Sequence, residues 1–374
     1  MEKLAVFYGG KSCEHEVSVI TALQAMAELE DEYEIIPVYI NKYGWFSGEE
    51  LKNPDSYKEF DHFRHVKVFL MNGKLVTKGF WGRINDVSEI DVALVCNHGG
   101  LGEGGGISAL LEMEGIPYTS APTCQSAVCL DKEYFKIVAK DKGFKTIPGI
   151  CIKRSDFEKN QDVVLDNILQ RFGERVVVKP VDLGSSIGVN APMGRAEIID
   201  ALSLVYAYTD RAIVEKRIED MREFNCACFK FGENNVVSAI EEPKIGRGGI
   251  LSYKDKYLTK SNESKDRDLP ANIPQSLATK IRRTTQRLYE AFCLSGVVRV
   301  DYIYDTSNKC LYVNEANTIP GSLSGYLYRE CGLTYVELVQ ALVDEAKAKK
   351  VKKDGYLSTF DSELLSGKYF VSKS

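Results

Sequence analysis

Histidine is scarce in this chain: the four at 15, 62, 65 and 98 leave a zinc site little to draw on. None of the ten cysteines falls in a C-x-x-C pair, and only Cys226 and Cys228 stand close, at a spacing that points both to one face of a strand. Scattered thiols in so long a chain read as reduced core residues rather than a disulfide framework. No apolar run approaches membrane-spanning length, and the Leu4-to-Tyr8 run is too short for a signal peptide, so a cytoplasmic protein is expected. Basic excess is missing too: 48 Lys and Arg against 53 Asp and Glu give a net charge of -5, which argues against a nucleic-acid binder with a dominant basic surface. What remains, 44% hydrophobic and 27% charged over 374 residues with no low-complexity segment, is ordinary globular sequence long enough for two to three domains.

The stretch Tyr312 to Gly321 organises the chain. Glu315 and Asn317 are two residues apart at the end of an apolar strand, so period-2 alternation turns both to one side. Val297 to Tyr304 reads as another strand, and Ser307-Asn308-Lys309 has hairpin composition, which brings Asp301 close to Glu315. Two carboxylates and one amide are hard oxygen donors of the kind that suits Mg²⁺, with water and phosphate oxygens completing its shell. Arg299 shares the face of Asp301 and sets a cation beside them. Ordinary surface charge on two strands is the competing explanation.

Leu4 to Tyr8, Gly9-Gly10 and the face Val17, Ile20, Leu23, Ala27 form a strand, glycine turn and helix. Gly10-Lys11-Ser12 imitates the end of a Walker loop, but position 5 is Ala, so a P-loop is rejected. Glu14, His15 and Glu16 could fix an ammonium group; acids at a helix start also favour the helix dipole. Glu34 to Ile40 is a second strand, Val68 to Val76 a hairpin around Asn72-Gly73, and Asp91 to Cys96 a buried parallel strand. Gly100, Gly102 and Gly105 formally match a dinucleotide fingerprint, yet no acid for a ribose follows the next strand, so a backbone site for some other anion is favoured. Lys132 and Lys136 lie one helical turn apart and read as solvated charge. Val176 to Pro180 is an apolar strand ending in Lys179, and Leu183 to Val189 is a Gly/Ser loop; together they read as a lid on a nucleotide. The long polar segment between Pro243 and Pro270, with Lys256-Tyr257, suggests a cover that closes on ligand. A helix follows Pro274 with Leu277, Ile281, Leu288 and Phe292 inward, and Thr334 with Glu337 forms a capping box for the last helix.

Taken in order, the motifs at 9–18, 98–103, 179–188, 256, 299–301 and 314–321 resemble the D-alanine:D-alanine ligase family of ATP-grasp enzymes. That resemblance implies an α/β (α+β) chain of three domains: an N-terminal parallel-sheet domain over 1–121, ATP-grasp subdomains over 122–214 and 215–350, and a tail over 351–374 of unread role. It implies ATP held by Lys132, Lys179, Ser186, Glu215, Lys216, Glu223 and Lys256. Asp301, Glu315 and Asn317 match ligands for two Mg²⁺, or Mn²⁺ in their place. Glu14, Ser185 and Tyr257 match a trio that orients the first amino acid, with His98 nearby, while Arg299 and the Gly321 amide would stabilise an oxyanion. Small amino-acid substrates, a homodimer and no nucleic-acid or membrane partner complete the expectation.

Two departures stand out. The acid expected after Glu103 is Gly104. Nine residues beyond Asn317, where the family carries a serine for the carboxylate of the second amino acid, stands Tyr326, followed by Leu327. Ser322 or Ser324 would have to substitute. The alternatives are therefore a ligase with another acceptor, such as D-serine or D-lactate, and an ATP-binding relative without turnover.

Overall fold

The structure, a computed structural model, describes residues 1–244, 267–357 and 359. Its first sheet comprises β1 (Glu2–Gly9), β2 (Tyr33–Asn41), β3 (Gly44–Ser47), β4 (Val66–Met71), β5 (Lys74–Lys78), β6 (Ile84–Glu89) and β7 (Val92–Val95), in the order β6-β5-β4-β3-β2-β1-β7. β1 runs parallel to β2 and to β7, while β3 to β6 are antiparallel additions. The sheet is thus mixed, not parallel throughout. The unbroken apolar runs of β1 and β7 follow from burial on both faces. The Asn72-Gly73 hairpin is present, with positive φ at both residues (53° and 74°), the turn whose twist matches its strands. Helices α1 (His15–Leu29) and α2 (Ile107–Met113) complete this region.

Next come α3 (Thr123–Leu130) and α4 (Lys132–Asp141), then a small antiparallel sheet, β8-β10-β9, of β8 (Gly149–Lys153), β9 (Val176–Pro180) and β10 (Arg211–Lys216). α5 (Arg154–Lys159), α6 (Gln161–Phe172) and α7 (Gly194–Val205) accompany it, and a separate core of Ile152, Leu165, Val176, Val178, Leu202 and Val214 holds them together. The third sheet is antiparallel: β11 (Met221–Phe231), β12 (Asn234–Pro243), β13 (Arg267–Asp268), β14 (Val298–Asp305) and β15 (Cys310–Asn317), in the order β13-β12-β11-β14-β15. α8 (Gln275–Ala291) covers one face of it; Leu277, Ile281 and Leu288 are buried as their spacing predicts.

After the short α9 (Gly325–Arg329), α10 (Tyr335–Asp354) starts at the Thr334/Glu337 capping box, which is fully formed. Leu338, Leu342 and Val343 enter the same core as β1 and α1, alongside Phe229 of β11. One helix therefore ties the last sheet to the first.

Candidate active site

The β14–β15 hairpin pairs Asp301 with Glu315 and Arg299 with Asn317, so the four side chains form two adjacent rows on one face. A register shift between Asp301 and Tyr302 leaves Asn314 as the extra residue. Neighbours on a regular strand point to opposite faces; here Asn314 and Glu315 both line the cleft. Arg299 grips Asp301 with a two-bond fork (Nε to Oδ1 2.7 Å, Nη2 to Oδ2 3.0 Å), and the Asn317 amide donates to Asp301 Oδ2 at 3.1 Å. Burial works against the charge on Arg299, but Asp301 overcomes it and holds the guanidinium well above its usual pKa.

Among the described residues no three His, Cys, Asp or Glu side chains converge as a metal cage. The donor chemistry still fits Mg²⁺: two carboxylates and an amide leave positions for water and phosphate oxygens, and half a turn of the Asn317 amide presents its oxygen to Asp301.

On one side of this hairpin lies a cleft of about 380 Å³. Lys132, Lys179, Ser186, Glu215, Lys216 and Glu223 all line it, together with an apolar wall that includes Ile147, Val177, Ile218 and Met221. Lys179, the lysine at the end of a core strand, has its partner in Glu215 at 2.7 Å and also donates to Asn314 at 3.2 Å. Lys136 is not solvated charge: it is buried, 2.5 Å from Glu215. Burial alone would raise the Glu215 pKa, but the two lysines pull it down to about 2. The carboxylate stays ionised and the lysine heads are placed before any ligand arrives. Lys132 donates to the Leu183 carbonyl at 2.5 Å and lies 3.6 Å from Glu315. The Gly/Ser loop is thereby tethered to the hairpin, with Ser185 and Ser186 held at positive φ (50° and 59°).

On the other side is a polar recess of about 20 Å³, lined by Glu14, His98, Glu103, Ser185, Arg299, Glu315, Asn317 and Gly321 among others. Glu14 comes from the turn before α1 and accepts a hydrogen bond from the Ser185 hydroxyl. Gly99 holds φ at 65°, a conformation that favours glycine, and a Cβ there would crowd the Ser12 hydroxyl and Glu14 Oε2. The Gly99 N–H of the glycine-rich stretch is taken up within the chain: it donates to Glu103 Oε2 at 2.9 Å. Burial and the neighbouring Glu14 push the Glu103 carboxyl up to about 8. His98 is held near 4, chiefly by burial with Arg299 adding to the fall, and its Nε2 meets Thr21 at 2.8 Å. The recess therefore sets Glu14 beside a Glu103 that keeps its proton and an imidazole that is neutral at pH 7.

Some expectations do not hold. Ser324 is completely buried, and Leu327 is sealed in the main core, so neither reaches the recess. Ser322 is not among them: half-buried, it donates its amide at 3.2 Å to Thr21, which in turn meets His98 of the recess. Tyr326 sends its hydroxyl to Glu241 at 2.8 Å, away from the recess. Lys256 and Tyr257 lie outside the described residues. Lys136, Glu103 and Asn314 were missed. Lys136 shares a face with Phe135 and Ala139, all buried, and that phase was its one signal.

A three-sheet chain with a lysine-lined cleft meeting an acid-amide hairpin defines the ATP-grasp class of ligases. Residues 3–121 match the D-ala D-ala ligase N-terminus family and residues 138–344 the D-ala D-ala ligase C-terminus family. The D-alanine–D-alanine ligase of Thermosipho africanus is 31% identical over 97% of this chain and 98% of its own. The D-alanine–D-alanine ligase structure from Coxiella burnetii superposes with a TM-score of 0.78 at 25% identity, covering 95% of this chain and 97% of that one. That from Helicobacter pylori gives 0.75 at 26% identity, covering 91% and 98%. The chain belongs to the D-alanine–D-alanine ligase family and is an ATP-dependent ligase.

Proposed function

We propose that this enzyme joins two D-alanines through an amide bond, driven by cleavage of ATP to ADP and phosphate, to supply peptidoglycan synthesis. The observation that carries this is the position of Glu315, which lines both the nucleotide cleft and the polar recess. A phosphoryl donor in the first and an amino acid in the second would meet at one hairpin. The names of the relatives supply D-alanine as the substrate.

Glu14, held by Ser185, binds the ammonium of the donor, and Arg299 draws its carboxylate toward the hairpin. A donor carboxylate oxygen attacks the γ-phosphorus and ADP leaves, giving an acyl phosphate; Lys132 and Lys179 spread the developing negative charge. Mg²⁺ held by Asp301, Glu315 and Asn317 would supply further charge neutralisation on the phosphates. The acceptor amine then attacks the acyl carbon. The tetrahedral oxyanion is stabilised by Arg299 and the Gly321 amide until the bond to phosphate breaks and the amine loses its proton.

The divisions at 121, 214 and 350, a homodimeric state and a cytoplasmic location are parts of the same proposal. The ten free cysteines support a reducing, ATP-containing compartment. The paired Lys132, Lys179, Glu215 and Arg299 speak against an ATP-binding relative without turnover. The test is a coupled assay of ADP release with D-alanine and Mg²⁺, with the product weighed by mass spectrometry. D-alanine-dependent ADP and a D-Ala-D-Ala mass are expected; ATP binding without D-alanine-dependent ADP overturns the proposal.

A further inference from the structure

We infer that Arg267 anchors the carboxylate of the acceptor amino acid and so sets acceptor specificity. The inference rests on the ligation proposed above and starts from charge. The donor's carboxylate is consumed in the reaction, whereas the acceptor keeps its own and needs a cation or hydrogen-bond donors for it. Arg299 is committed to Asp301 and to the reacting oxygen. Of the hydroxyls near α9, that of Ser324 is buried and that of Tyr326 donates to Glu241.

The sheet shows where the next cation lies. Glu315, Asp301, Asn225 and Glu241 pair in register across β15, β14, β11 and β12, so their side chains form one row on a single face. With strands about 4.8 Å apart, Glu241 lies roughly 10 Å beyond Asp301. The Asn225 amide donates to Glu241 at 2.9 Å, continuing the row as a polar track. The Tyr326 hydroxyl donates to Glu241 at 2.8 Å, so the end of the track meets the segment that runs on from Gly321, which lines the recess.

Arg267 stands at that end, on β13. Its Nη1 meets Glu241 Oε1 at 3.1 Å, and its guanidinium lies 4.9 Å from the centroid of the Tyr326 ring. Those two contacts hold one edge and one face of a planar group that has five N–H donors. A second edge is left for a carboxylate, and the side chain is 43% exposed, so a ligand can reach it. Tyr326, which looked like the loss of a carboxylate contact, is instead the platform that orients a replacement.

The test sets D-alanine against D-alaninamide, which lacks the carboxylate, as competing acceptors with D-alanine as donor, and weighs the two products. Wild type is expected to favour D-alanine strongly. Arg267→Ala should raise the acceptor KM by about tenfold or more, the size of a lost charge-assisted contact, and bring the preference close to one. The donor KM should stay unchanged, and Arg267→Lys should restore part of the preference. An Arg267→Ala enzyme that still prefers D-alanine as wild type does, or that loses donor and acceptor affinity equally, overturns the inference while ligation stands. A wild type that releases no ADP with D-alanine fails the ligation proposal itself, and this inference with it.

Discussion

The nucleotide cleft and the donor recess share Glu315 but solve recognition in opposite ways. The cleft is wide, walled by apolar side chains and furnished with lysines already neutralised by Glu215. It offers a shape and leaves its charges in place whether or not a ligand is bound. The recess is small and crowded with like charge: three acids, Glu14, Glu103 and Glu315, face one volume of about 20 Å³ beside Arg299, and the Glu103 carboxyl holds its proton. A ligand that brings an ammonium relieves that repulsion. The difference teaches that the cleft's charges support the fold, while the recess sets aside stability for recognition.

Removing what the two regions share should have the largest effect. Glu315→Ala, or Asn317→Ala beside it, is expected to lower ligation by about a thousandfold or more with thermal unfolding nearly unchanged, since both are partly exposed. Equal rates in the variants would end the hairpin's assignment. Second, Glu215→Ala strands two buried lysines in the cleft and should destabilise the protein by about 3–5 kcal/mol, read by urea denaturation. Glu14→Gln, by contrast, should leave stability within about 1 kcal/mol and raise the donor KM by about a hundredfold, with the KM for ATP unmoved. If Glu215 and Glu14 exchanged these signatures, the contrast between the regions would be wrong.

The smallest effects are in pH dependence, and they too separate the regions. Glu215 has a folded pKa below its ordinary value of 4.5. Its contribution is therefore present above pH 4.5 and lost as pH falls toward 2. Glu103 has a folded pKa raised to about 8, so its protonated form costs nothing below the unfolded pKa and the fold weakens as pH rises through 8. Glu103→Gln should accordingly raise Tm at pH 9 relative to wild type and leave it unchanged at pH 4, a comparison that calorimetry settles.

How much of this was legible follows from how local each feature is. The Asp301, Glu315 and Asn317 set rests on strand alternation and a short turn, and those fix side-chain direction within a few residues. The face of α8 and the cap of α10 are equally local. Lys136, Asn314 and Glu103 escaped because their roles depend on partners far along the chain or on a single extra residue in a strand. A lysine on an amphipathic helix looks the same whether water or Glu215 awaits it. In the first sheet the parallel β1, β2 and β7 and the Asn72-Gly73 hairpin were legible, whereas β3 and β6 were not, because β3 is only four residues long and β6 is almost wholly exposed.

The amino-acid order alone determined the family and the chemistry, because motifs of hard donors, glycines and lysines keep their meaning wherever the chain takes them. Tertiary structure decided which charges meet. It placed Glu215 between two lysines, turned Tyr326 toward Glu241, and set Glu103 against Glu14. Such pairings hinge on burial and distance between residues remote in sequence, and burial, which strengthens every charge-charge interaction, is a property that only the assembled fold possesses.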